Sequence, residues 1–113
     1  MVMIVPSQAS LSSLEKKLVG EWQHEEKEGV TAHYVFRGNG SYTAELRREA
    51  KLVRRFEGLW RVDGEMIVYT YISDSLAQVP VGTVEKDQIL RISDDSYTIE
   101  AGDHLQRTYF RVK

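Results

Sequence analysis

From Trp22 onward the apolar residues of this chain recur at every second position, and no interval is long enough to hold a crossover helix. Val30, Ala32, Tyr34 and Phe36 alternate with Thr31, His33, Val35 and Arg37; Tyr42, Ala44 and Leu46 follow beyond Gly38-Asn39-Gly40; then come Leu52, Phe56, Gly58, Trp60 and Val62. A period of two gives each strand one apolar face. Repeated with turn-sized gaps, it predicts a sheet wrapped around a core, with sequence neighbours antiparallel in space. The predicted strands run near 19–26, 30–37, 41–48, 52–62, 65–73, 79–92, 96–101 and 104–112. The expected fold is all-β: a single antiparallel up-and-down barrel of about eight strands with a short N-terminal helix or helical turn.

Two Gly-x-Trp triplets sharpen that reading: Gly20-Glu21-Trp22 at the first strand and Gly58-Leu59-Trp60 before an Asp63-Gly64 turn. A tryptophan entering a barrel base plugs it with a large apolar ring, and the nearby glycine lets neighbouring backbone approach. Ahead of Trp22, Leu11, Leu14 and Leu18 fall at helical spacing, with Ser10 or Ser12 as the cap. Residues 1–10 are read as an N-terminal extension and 11–113 as the barrel domain.

Turn lengths set the pairing. A two-residue loop at Asp63-Gly64 places Val62 opposite Glu65, Trp60 opposite Ile67, Gly58 opposite Tyr69 and Phe56 opposite Tyr71. In that register the Tyr69 ring lies over Gly58. A three-residue loop at Gly38 to Gly40 sets Phe36 against Tyr42 and Tyr34 against Ala44. The last hairpin stays open between two loops. Gly102 to His104 turns Arg107 and Tyr109 inward, and Gly102-Asp103 turns Thr108 and Phe110 inward instead.

With 113 residues the chain is one domain, and its 42% hydrophobic and 28% charged residues are ordinary for a folded protein. A net charge of -2 supplies no general attraction to nucleic acid or anionic membrane. The lack of cysteine removes disulfide, thiolate-metal and cysteine-nucleophile readings. No stretch approaches the ~20 apolar residues of a membrane span. The apolar start Met1 to Val5 is shorter than the roughly 7 to 15 residues of a signal-peptide core. The expectation is a cytoplasmic chain, or an exported one whose leader is absent from this sequence, as a monomer or homodimer.

Three short motifs in order, Leu18-Val19-Gly20-Glu21-Trp22, Phe36-Arg37-Gly38-Asn39-Gly40-Ser41-Tyr42 and Gly58 to Gly64, resemble the short bacterial lipocalin-like domains of the calycin superfamily. The resemblance spans roughly 11–113. It implies a barrel that binds a small molecule, with Gly20 and Trp22 structural and Arg111 packing over Trp22. Arg107-Thr108-Tyr109 further resembles the end of fatty-acid-binding proteins, where such a pair holds a carboxylate. The two-helix lid of those proteins has no counterpart here, since only Lys27-Glu28-Gly29 occupies its place.

Chemistry-bearing residues divide along the alternation. Arg54 shares the parity of Phe56, Gly58 and Trp60, so it points inward and meets either a ligand anion or a protein carboxylate and water. The tyrosines either line an amphipathic cavity or fill a narrow barrel, since eight strands suit both. The candidate ligand-binding set is Tyr34, Phe36, Tyr42, Arg54, Phe56, Trp60, Tyr69, Tyr71, Arg107 and Tyr109.

The segment 47–55 carries five cations and one anion, and 21–28 four carboxylates and one lysine. The first is read chiefly as a solvated hairpin that deters strand pairing, not as a nucleic-acid grip. His24, His33 and His104 show no metal-ligand spacing, and there is no serine elbow or phosphate loop; no metal, cofactor or catalytic residue is expected. The favoured function is non-catalytic binding of a small apolar or amphipathic, even anionic, molecule. The rivals are a filled barrel that binds or inhibits a protein, and a small enzyme using Tyr and Arg.

Overall fold

The structure, a computed structural model, describes residues 11–112. The extension 1–10, with Ser10 as an alternative cap, lies outside the described residues. Ser12 provides the cap: its hydroxyl accepts the Glu15 amide at 3.1 Å while Glu15 Oε1 accepts the Ser12 amide at 2.9 Å. This reciprocal pair satisfies two orphan donors and starts α1, Ser13–Leu18. The second Glu15 oxygen accepts the Val62 amide at 2.8 Å, which fastens the helix across one end of the barrel.

Eight strands follow: β1 (Gly20–Glu25), β2 (Val30–Phe36), β3 (Ser41–Arg48), β4 (Lys51–Asp63), β5 (Met66–Asp74), β6 (Val84–Ile92), β7 (Ser96–Glu100) and β8 (Gln106–Arg111). A 3₁₀ turn, Lys27–Gly29, joins β1 to β2. Each strand pairs antiparallel with the next, and β8 returns to β1, closing the barrel. The closing seam is short, with Trp22 opposite Arg111 and Gln23 opposite Phe110. Beyond it His24 donates Nδ1–H to the Thr108 carbonyl at 2.9 Å, a side chain standing in for a ladder bond.

The loop at Gly38 to Gly40 has three residues, setting Phe36 against Tyr42 and Tyr34 against Ala44. Asn39 Oδ1 accepts both the Ser41 amide and the Ser41 hydroxyl, so Asn-Gly-Ser here is turn chemistry. The last hairpin takes the three-residue loop as well: Arg107 opposes Ile99 and Tyr109 opposes Tyr97.

The β4–β5 register differs from the sequence-based expectation. Asp63 pairs with Met66, so the loop is Gly64-Glu65, with Gly64 at φ 63° in the first loop position. Trp60 therefore opposes Tyr69, and Gly58 opposes Tyr71 instead of Tyr69. A slip of two leaves every residue up to Tyr71 on its expected face. The ring over Gly58 is Tyr42 from β3, whose Cε1 would lie 2.8 Å from a Cβ at that position. A bulge at Ile72 then moves Asp74, not Tyr71, opposite Phe56. The strand predicted over 79–92 is also shorter, because Pro80 lacks a ladder donor and its carbonyl accepts the Thr83 amide in a turn.

The end under α1 is solid. Trp22 is fully buried, its indole N–H donates to the Leu18 carbonyl at 2.8 Å, and its ring meets Tyr97 edge-on at 4.8 Å. The Arg111 guanidinium lies 4.1 Å from the Trp22 ring centroid and donates to the carbonyls of Val19, Lys17 and Asp94. That arginine occupies the space beside Gly20, where a Cβ would sit 2.5 Å from Arg111 Nη1 and where φ is 136°. Gly20 thus makes room for a side chain and supplies a conformation other residues resist.

Candidate functional site

The half of the barrel away from α1 holds a cavity of about 360 Å³. Inward residues of β2 to β8 form its walls, and the β7–β8 loop with Glu26 forms its rim. Seven residues of the sequence-based set line it: Tyr34, Tyr42, Phe56, Tyr69, Tyr71, Arg107 and Tyr109. Larger hollows of about 600 to 690 Å³ lie on the outer surface, against α1 and the outward faces of β1, β4, β5 and β8.

Three members of the set fall elsewhere. Phe36 and Trp60 sit at the turn ends of β2 and β4, in the solid half. Their rings are 4.8 Å apart, and the Trp60 indole donates to the Arg37 carbonyl at 2.9 Å. Arg54 points toward the barrel mouth but is committed within the protein. It donates Nε to Asp74 Oδ1 at 3.0 Å and Nη2 to Oδ2 at 2.7 Å, and it lies 4.5 Å over the Phe56 ring. The Ile72 bulge explains this, since it rotates Asp74 onto the inner face.

The residues that sequence reasoning missed are acidic. Glu26, Glu85, Asp87 and Asp103 line the cavity with Arg107 as its one cation. Arg107 Nη2 donates to Asp103 at 2.9 Å, and its Nε lies 3.8 Å from Glu26. Glu85 and Asp87 sit opposite Tyr69 and Ile67 on the inner face of β6. Burial pushes the Asp87 carboxyl up to about 6, helped by the Glu85 charge and held back by the Tyr69 hydroxyl and by Arg107. Burial also raises the phenols of Tyr34, Tyr42, Tyr69, Tyr71 and Tyr109, so at neutral pH all five remain O–H groups.

The basic hairpin is largely neutralised on the outer surface. Glu45 receives Arg47 at 2.9 Å and Arg55 at 2.6 Å, Glu57 also meets Arg55, and Glu28 lies 3.8 Å from Arg48. His33 points out, as its alternation predicted, and meets Glu21 at 3.2 Å. No helix among the described residues is long and apolar enough to cross a membrane.

A closed eight-stranded antiparallel barrel, plugged by a Gly-x-Trp tryptophan under an arginine and hollow at the other end, is a lipocalin-like fold. The chain is similar to a lipocalin-like protein from Bacteroides uniformis at 18% identity and a TM-score of 0.61, over 85% of this chain and 99% of that one. It is also similar to an uncharacterized protein from Bacteroides eggerthii at 14% identity and a TM-score of 0.59, over 83% and 98% of the respective chains. No family model and no curated protein matches the sequence.

Proposed function

We propose that the protein binds a compact amphipathic molecule in the open half of its barrel and does not transform it. The observation that carries this reading is the asymmetry of the interior: one half is packed solid behind Trp22, and the other holds about 360 Å³ between tyrosine rings and five charged side chains. Ligand sites typically occupy roughly 300 to 1,000 Å³, and this one carries more polar groups on its wall than the usual apolar pocket. The volume lies near the low end of that range, which favours a small ring-bearing ligand over a long acyl chain. An anionic ligand loses its support, because Arg54 and Arg107 are already paired with carboxylates.

Mass spectrometry of the protein purified gently from its native cell tests the proposal. A co-purifying small molecule that is lost on filling the cavity with Ala44→Trp is the expected result. A protein that co-purifies without any small molecule, and binds equally to the filled variant, favours the interaction-barrel reading.

A further inference from the structure

The charge balance of the cavity suggests what its ligand carries. Four carboxylates and one arginine are the charged groups of the lining, and the arginine is held at the rim by Asp103 and Glu26. On the opposite side Glu85 and Asp87 project from alternate positions of one strand beside the tyrosine rings, Asp87 half-buried and Glu85 exposed at the mouth. Like charges two residues apart on one strand face repel, the more so for the half-buried Asp87, and a cation beside them relieves this.

A second observation is independent of those acids. Tyr42 is only 2% exposed and lines the cavity, yet its hydroxyl has no hydrogen-bond partner in the protein. A buried phenol ordinarily finds one. The Tyr42 ring lies 6.4 Å from that of Tyr71, and both line the cavity together with Glu85.

Resting on the binding function proposed above, we infer that the cavity recognises a small organic cation, an alkyl- or arylammonium ion. Its N–H groups donate to Asp87, Glu85 and the Tyr42 hydroxyl, while the faces of Tyr34, Tyr69 and Tyr109 receive the charge and its apolar frame. An ammonium offers several donors and no acceptor, matching a wall with carboxylate acceptors on one side. Aromatic faces attract such a cation through their quadrupoles, and more strongly when water is excluded. A metal ion fits the same acids poorly: among the described residues no three His, Asp or Glu side chains converge to hold one.

Isothermal titration with three probes of one frame tests the inference: phenylethylamine, phenylethanol and phenylpropionate. The expected order is amine tightest, by about tenfold or more over the alcohol, with the acid weakest. In Glu85→Gln, and in Glu85→Gln combined with Asp87→Asn, the amine loses that advantage while phenylethanol binds as before. Retained alcohol binding shows that the variants are folded. Equal binding of amine and alcohol, or a preference for the acid, overturns cation recognition and leaves a binding cavity. Absence of saturable binding by all three overturns the cavity's binding role together with the inference.

Discussion

Arg54 and Asp74 form a two-bond ion pair across the barrel mouth, and the same carboxylate accepts the backbone amides of Leu76, Gln78 and Val79 at 2.9 to 3.0 Å. One side chain therefore anchors the connection from β5 to β6. Asp74→Ala should free this loop, raising hydrogen exchange at those three amides by about tenfold or more, with less change in the solid half. Exchange that remains as slow as in the wild type would show that the loop does not depend on Asp74. The Arg54 guanidinium, with those amides, holds the Asp74 carboxyl well below the usual aspartate range. Its stabilising contribution is present above the unfolded value of about 3.9 and is lost as pH falls from there toward the depressed folded value.

Asp87 acts in the opposite direction. Its carboxyl titrates near 6 in the folded chain, above its unfolded value, so the folded state holds the proton more tightly between about pH 4 and 6. The stability linked to this group is complete below about pH 4 and is lost as pH rises through 6. Asp87→Asn should therefore raise stability at pH 7 by roughly 1 to 3 kcal/mol and flatten the pH dependence over that window. Denaturant melts of both proteins at pH 4, 5, 6 and 7 check this; a variant less stable than wild type at pH 7 contradicts it.

Trp22→Ala should cost about 3 to 5 kcal/mol, the usual range for deleting a buried aromatic. It also strands Arg111 over an empty space and removes the donor to Leu18. Thermal denaturation measures the effect, and a melting temperature within a degree or two of wild type rules out the plug.

Gly58→Ala should destabilise by about 1 to 3 kcal/mol, because the added methyl collides with the Thr70 carbonyl oxygen and crowds Tyr42. Urea titration reads the loss. Gly102→Ala, where no atom lies near the new methyl, serves as the comparison and should stay within about 0.5 kcal/mol.

Much of the scaffold was legible in the sequence. The two-residue period and the turn at Gly38 to Gly40 correspond to positions where one face is buried and a slip would expose it, Arg111 over Trp22 was implied by the resemblance, and the last hairpin stayed open between two loops until the structure chose Gly102 to His104. The mouth was less legible because bulges break the count. Ile89 and Ile92 cannot both face inward under strict alternation, yet both pack on the core, because the β6 register shifts at Leu90. Counting back from Ile89 places Asp87 and Glu85 inside, but that parity conflicts with Ile92 until the bulge is seen. Ile72 likewise conceals Asp74, and with it the partner that removes Arg54 from the ligand site.

The plugged end and the hollow end share strands but few side chains, which makes the molecule a natural platform for altered selectivity. Trp22, Phe36, Trp60 and Arg111 hold the barrel together at one pole, whereas Glu85, Asp87 and Arg107 set the electrical character of the other. Exchanging two or three of the latter would change the charge of the cavity wall while leaving the foundation untouched.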